Sequence, residues 1–286
     1  MARTLAPLLL VALLVTLLVT ACACPTPLWA GEKSGSLPAL TSAPRSENGT
    51  NQKSVRLEQI KQRGKLVVAT SLFPPFEFHE PGSTKLMGFD VDVAERIAAD
   101  LGVTVEWREY QFAALMPAVQ AGQVDAAIAA MYVTDARRQQ VDFSRGYATT
   151  GLVLAVRKDN VQIRQIPEDL AGRTIAVKLG ATGAKQVEEW KNQGIALTVQ
   201  TYNETLDQLM AVYEGKVDVA LNDRFSTMAF IKEHPDVRMV GEMLGATELA
   251  IAVRKGDVDL LQQIDQSIER MVNDRGIDSL LKKWFQ

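Results

Sequence analysis

From Lys65 onward the chain alternates between two kinds of segment, and that alternation constrains its fold more than any other feature. "KLVVAT" (65–70), "VTVEW" (103–107) and "VDAAIAA" (124–130) are short apolar runs of strand length, while "DVAERIAADLG" (92–102) and "FAALMPAVQAG" (112–122) carry helical spacing between them. The second half repeats the order with strands "RTIAVKL", "ALTVQT" and "VDVAL" around helices "TGAKQVEEWKNQG" and "ETLDQLMAVYEG". Strand and helix in turn at this spacing predict α/β architecture with parallel strands.

Two internal likenesses divide this pattern. "LMPAVQAGQVDAAIA" (115–129) resembles "LMAVYEGKVDVALN" (209–222) with a one-residue gap, which predicts two lobes of similar build. "LVLAVRKDN" (152–160) and "LAIAVRKGD" (249–257) are near copies that bracket the second α/β unit. If each is a strand by which the chain passes between lobes, lobe 1 is discontinuous, residues 56–148 and 249–286, and lobe 2 is residues 149–248. The helical segments "DLLQQIDQSIERMVNDRG" and "DSLLKKWFQ" then close lobe 1. Two lobes on two hinge strands enclose a cleft, and α/β proteins bind small ligands in clefts at the carboxyl ends of their strands.

The amino terminus differs in kind. "MARTLAPLLLVALLVTLLVTACAC" is a nearly unbroken apolar run after one arginine, long enough for a marginal single span of about 20 residues. Val19-Thr20-Ala21-Cys22 resembles a bacterial lipoprotein box, so residues 1–21 are read as a signal peptide and Cys22 as a lipidated, exported amino terminus. Residues 22–55 are read as a flexible tether, since "PTPLWAGEKSGSLPALTSAPRSENGTNQKS" is rich in Ser, Thr, Pro and Gly. A chain of about 30 such residues has an end-to-end distance of about 30 Å. Asn48-Gly49-Thr50 matches a glycosylation sequon but is read as an ordinary turn.

Composition narrows the partners. Lysine and arginine total 31 against 34 acids, which leaves no basic footprint for nucleic acid. Both cysteines, Cys22 and Cys24, lie at the export junction, so the body has no disulfide or thiolate metal site. The two histidines, His79 in "FHEPG" and His234 in "EHPD", stand in turn-like surroundings and are read as solvated, with no metal site and no cofactor expected.

Against that frame stand the motifs. "GFDVDVAERIAADL" (Gly88 to Leu101) presents glycine, aromatic, acid, aliphatic, acid, aliphatic and then a helical apolar pattern. With "PPFEF", "TDARRQQVDFS", "VKLGATG" and the ending "KKWF" in this order, the chain from about Leu57 to Gln286 resembles the bacterial extracellular solute-binding proteins of polar amino acid ABC transporters, in detail the glutamine- and histidine-binding members. The resemblance implies two Rossmann-like lobes joined by two hinge strands, the type II periplasmic binding protein fold, closing over one free amino acid. It also implies a permease and ATPase as partners, a periplasmic or outer cell-surface location, and a monomer.

Particular residues follow. Thr134 is a candidate N-cap that puts Arg137 at the third helical position, where a guanidinium beside free backbone N–H groups suits a carboxylate. The resemblance makes Arg137 the clamp on the ligand's α-carboxylate and leaves Arg138 a solvated charge; on pattern alone a salt bridge to Asp142 ranks slightly ahead. Asp223 reads as the N-cap of the next helix, and the resemblance gives it the ligand's α-ammonium as well. In "KLGATGAK" (178–185) the glycines, Gly180 among them, shape a backbone nest that favours anions; the resemblance implies that Thr182 adds donors to the carboxylate and that Lys178 faces the ligand side chain, against a reading of Lys178 as a strand-end surface lysine. Phe73 and Phe112 match aromatics that sandwich the ligand, and Ala129 and Ala130 the strand end whose backbone bonds it.

Two departures bear on specificity. Ser71 stands nearest to the position where histidine and glutamine binders have an aspartate, which argues against a cationic ligand. Tyr132 replaces a usual Ser or Thr and adds a phenol to the pocket. A neutral polar or acidic amino acid, glutamine or glutamate first, fits best. A cyclohexadienyl dehydratase-like enzyme on the same fold, needing a buried cleft acid of raised pKa, and a sensory binding protein are the rival readings.

Overall fold

The computed structural model describes residues 55–164 and 166–286. The signal peptide, Cys22 and the tether fall outside them, except that Val55, the tether's last predicted residue, opens helix α1 (Val55–Arg63). No described helix is long and apolar enough to cross a membrane.

The first lobe is a five-stranded sheet in the order β4 (Thr104–Glu109), β1 (Lys65–Thr70), β5 (Ala126–Ala127), β12 (Ala252–Val253), β6 (Asp142–Phe143). A small hairpin, β2 (Phe78–His79) and β3 (Leu86–Met87), leads into α2 (Phe89–Leu101). Phe112–Ala114 forms a 3-10 turn before α3 (Leu115–Gln120), and α4 is the single turn Asp135–Arg138. The second sheet has the order β11 (Val237–Leu249), β7 (Ala148–Arg157), β10 (Val219–Asp223), β8 (Thr174–Lys178), β9 (Thr198–Tyr202). Helices α5 (Thr182–Asn192), α6 (Thr205–Tyr213) and α7 (Arg224–Glu233) connect its strands, and α8 (Val258–Asn273) and α9 (Gly276–Phe285) end the chain.

The sheets are mixed where the alternation predicts parallel strands. β1, β4 and β5 run parallel, as do β8, β9 and β10, but β12 is antiparallel to β5 and β6, and β7 to β10 and β11. The antiparallel members are the strands on which the chain leaves and re-enters a lobe, so direction reverses there. The near copies are therefore not two equivalent crossing strands: "LVLAVRKDN" is part of β7 in the second sheet, while "LAIAVRKGD" contributes β12 to the first. The strand beside β7 at the crossing is β11, with Leu249 opposite Ala148.

The other internal likeness has a shared structural cause. Gly122 and Gly215 both take the left-handed conformation (φ 65° and 71°) after α3 and α6, which only glycine does without cost. The aspartate of each following "VD" then accepts a backbone N–H of the neighbouring strand, Asp125 Oδ2 from Val67 and Asp218 Oδ2 from Thr174, each at 2.7 Å. Asp125 is fully buried and is neutralised by Arg56 (2.7 Å) and Arg63 of α1, a helix that the sequence reading did not mark.

The "GFDVD" motif divides its labour in a similar way. A Cβ on Gly88 (φ 138°) would lie 2.1 Å from the Phe76 carbonyl oxygen, so only glycine lets α2 start there. Asp90 turns inward and accepts the Ala130 N–H (2.6 Å) and the Tyr147 hydroxyl (2.9 Å). Asp92 turns toward the end of the chain and accepts from Lys283 and the Trp284 indole, both at 2.7 Å, which ties "KKWF" to this motif. Phe285 then packs on Phe76, Phe89 and Phe225, with ring centroids 4.5–5.4 Å apart.

Candidate functional site

Four side chains make five hydrogen bonds that join the lobes around one cavity. Tyr132 Oη donates to Asp223 Oδ2 (2.7 Å), Arg137 Nη2 to the Gly180 carbonyl (3.3 Å), Lys178 Nζ to Ser71 Oγ (3.3 Å) and the Leu72 carbonyl (3.1 Å), and Ser226 Oγ to the Pro74 carbonyl (2.7 Å). The cavity is lined by side chains of both lobes. Of the eleven residues proposed for the cleft from sequence, nine line it: Phe73, Phe112, Ala129, Ala130, Tyr132, Arg137, Lys178, Thr182 and Asp223. Ser71 and Gly180 stand behind the lining, bonded to Lys178 and Arg137.

Arg137 sits where the sequence puts it. Thr134 caps α4 and accepts the Arg137 N–H, so Arg137 is the third residue of that turn. Its guanidinium is buried, 2% exposed, donates through Nη1 to the Tyr132 carbonyl (2.8 Å) and lies 5.2 Å over the Phe112 ring. Burial pulls its pKa down to about 10, so it remains a cation at neutral pH. Among the described residues no carboxylate pairs with it. Asp142, the alternative partner read from the sequence, faces Lys255 at 3.6 Å instead. A buried cation with donors to spare and no anion is expensive to keep unless an anionic ligand completes it. Arg138 is exposed, as expected.

Lys178 is not the strand-end surface lysine of the alternative reading. It is 4% exposed, its ammonium 5.2 Å over the Phe73 ring and 5.5 Å over Phe112. Burial lowers its pKa, opposed by Glu204 and Glu77. The place that an aspartate would occupy thus holds Ser71 carrying a cation. Gly180 (φ 74°) lets the β8–α5 loop approach the first lobe, since a Cβ there would lie 2.9 Å from the Ala113 side chain.

Asp223 caps α7, as its pattern predicts, with Oδ1 accepting from Phe225 (2.8 Å) and Ser226 (3.3 Å) N–H groups. Its Oδ2 takes the Tyr132 phenol and the Thr150 hydroxyl, both at 2.7 Å. Burial raises its pKa while those four donors pull it back. Thr150, Leu152, Leu221 and Asn222 complete this side. Leu221 and Asn222 precede Asp223 on β10, whereas no motif marks Thr150 and Leu152, which only the pairing of β7 with β10 brings here.

Beneath Ala129 and Ala130, in the segment after β5, lies a feature without a local sequence signal, a fully buried carboxyl pair, Glu77 and Asp90. Ala130 holds a left-handed φ of 45°, unusual for a residue with a side chain, and its N–H is fixed by Asp90. Burial and the neighbouring Asp90 raise the Glu77 pKa well above normal, and burial raises Asp90 to about 6. The raised pKa values are those expected if Glu77 keeps a proton and donates it to Asp90. Both folded pKa values exceed the ordinary 4.5 and 3.8, so this stabilisation is complete below about pH 4 and is lost as the pH rises through 6 and above. The carboxylates with lowered pKa, Asp100, Glu106 and Asp159, titrate beneath this window. The unliganded protein is therefore expected to melt at a lower temperature at pH 8 than at pH 5. Glu77→Gln should flatten that slope, and an unchanged slope in the variant would show that the pair holds no shared proton.

The fold and the cleft define a two-lobed binding protein, and comparison with known proteins places it. Residues 66–286 match the family model of bacterial extracellular solute-binding proteins, family 3, and the chain belongs to that family. It is 30% identical to the L-cystine-binding protein TcyJ of Escherichia coli K12 over 80% of this chain and 85% of that one. Among solved structures, a mutant of the arginine-binding protein of T. maritima superposes with a TM-score of 0.76 at 34% identity, over 80% of this chain and 99% of the other. An ancestral arginine-binding protein bound to glutamine gives 0.72 at 37%, over 78% and 98%. The fold is that of type II periplasmic amino-acid-binding proteins, and the family works outside the cytoplasm with the permease and ATPase of ABC transporters.

Proposed function

We propose that this protein is the capture component of an amino-acid importer and that it binds a polar amino acid, glutamine or glutamate first, without chemically changing it. The observation that carries the reading is Arg137, a buried guanidinium in the cleft with no carboxylate among the described residues to pair it. Arg137 takes the ligand's α-carboxylate, helped by Thr182 and the nest around Gly180, while Asp223 and the Ala129–Ala130 backbone take the ammonium. Phe73 and Phe112 cover the aliphatic part. Lys178, with Ser71 behind it, faces the side chain, which favours an amide or carboxylate there and disfavours a second cation.

Arg137 and Asp223 stand on different lobes, so only the closed form meets both ligand charges. Closure is then a rotation about the β7 and β11 strands near Tyr147–Gly151 and Gly245–Leu249, and the ligand shifts the population toward it. In the cell the body is a monomer held through a lipid on Cys22, an extension that rests on the sequence alone. A thermal-shift panel of the twenty amino acids tests the ligand. At 100 times its dissociation constant a ligand adds about 2.7 kcal/mol, several degrees of melting temperature for a body of this size. The largest shifts are expected with glutamine or glutamate. A shift with arginine or lysine alone would overturn the role given to Lys178.

A further inference from the structure

We propose that Asn222 selects a side-chain carboxamide over a carboxylate, so that this cleft takes glutamine in preference to glutamate. The inference rests on the reading that Arg137 takes the ligand's α-carboxylate and Lys178 faces its side chain, and it decides between the two ligands which that reading leaves open.

β8 and β10 run parallel with Ala220 beside Ala176, so two residues further on Asn222 stands beside Lys178, on the same face and at the ends of both strands. Both line the cavity, and Asn222 is 4% exposed. Which end of its amide is left for a ligand is set from behind. Thr227 Oγ1 lies 2.7 Å from the Asp223 carbonyl, which can only accept, so the one hydroxyl proton goes there. Toward Asn222 the same oxygen can only accept, and it takes the Asn222 Nδ2 donor at 3.2 Å. The amide is thereby oriented, with Nδ2 held on α7, and no described residue bonds its Oδ1.

Lys178 and Asn222 make a complementary pair. The lysine ammonium has three N–H donors, of which Ser71 Oγ and the Leu72 carbonyl take two. The third donor and Asn222 Oδ1 stand together as the counterpart of a carboxamide, whose oxygen accepts and whose nitrogen donates. A carboxylate has acceptors only. It would set an oxygen against Oδ1 with no proton between them, and Asn222 cannot turn its NH₂ group to it without breaking the Thr227 bond. The ammonium attracts a carboxylate, but Lys178 already faces Glu204, which in turn faces Asp207 and Glu109, so a ligand carboxylate joins a group of acids instead of meeting a lone cation. A site built to hydrogen-bond one group rejects the analogue that leaves its buried polar atoms unpaired.

The test is calorimetry with L-glutamine and L-glutamate on the wild-type protein, on Asn222→Leu, which removes the acceptor at similar size, and on Thr227→Val, which keeps Asn222 and frees its amide to turn. The wild type is expected to bind glutamine more tightly by about tenfold or more, about 1.4 kcal/mol. In Asn222→Leu that ratio should fall by about tenfold through weaker glutamine binding. Thr227→Val should lower it too, through tighter glutamate binding. A role of Asn222 in folding alone would weaken both ligands equally and leave the ratio unmoved. A wild type that binds glutamate as tightly as glutamine, or more tightly, overturns the inference and leaves the capture of a polar amino acid intact. A glutamine preference that neither variant alters also overturns it, because Asn222 is then not its cause. Binding of neither compound overturns this inference and the choice of ligand together. The wild-type comparison needs no variant, so a poorly folded variant does not spare the proposal.

Discussion

Replacing Arg137 by alanine is expected to lower amino-acid affinity by more than a hundredfold while leaving the unliganded protein folded. The size follows from breaking a buried charge pair, about 3–5 kcal/mol, because the ligand's carboxylate would enter a desolvated site with no counter-charge. The folding side of the argument is separate. Arg137 bonds two backbone carbonyls and covers the Phe112 ring, but among the described residues it neutralises no acid, so its removal strands no buried negative charge. Calorimetry on the variant, with its melting curve alongside, separates the two effects. Unchanged affinity would remove Arg137 from the ligand site.

The second large effect is expected at Asp223, where binding and stability fall together but by different routes. Asp223→Ala should cost about 3 kcal/mol or more of ligand affinity through the unpaired ammonium. It should also cost about 1 kcal/mol of stability through the lost cap of α7, with a further penalty for the buried Tyr132 and Thr150 hydroxyls left without their acceptor. Asp223→Asn keeps an oxygen for the cap and removes the charge, so it should recover much of the stability and little of the affinity. Full affinity in a destabilised Asp223→Ala protein would make this residue a cap and nothing more.

The legible part of the site was written in local patterns. A capping threonine three residues before an arginine fixes Arg137 on α4, and an aspartate between an apolar strand and a helix fixes Asp223 as a cap, because both geometries are set within one turn of chain. The repeated Gly and "VD" of the two lobes were readable for the same reason. What stayed hidden depends on pairings distant in sequence. Thr150 and Leu152 join the cleft only through the register of β7 on β10, and nothing in "PPFEF" says that Glu77 meets Asp90. Lys178 looked as much like a surface lysine as a ligand contact, since its burial comes from the other lobe's Phe73, Phe112 and Ser71. The near-copied segments misled on the crossing, because similar sequence was placed in different sheets with the chain's direction reversed.

The central claim is that the cleft holds an amino acid by its α-carboxylate on Arg137. The measurement that tests it most directly is the dissociation constant of the amino acid giving the largest thermal shift, set beside that of its α-carboxamide, which has the same shape and no negative charge. The amide is expected to bind more than a hundredfold more weakly to the wild type, and about as weakly as the acid to Arg137→Ala. Equal affinity of acid and amide for the wild type would contradict the account, because the buried guanidinium would then play no part in holding the ligand.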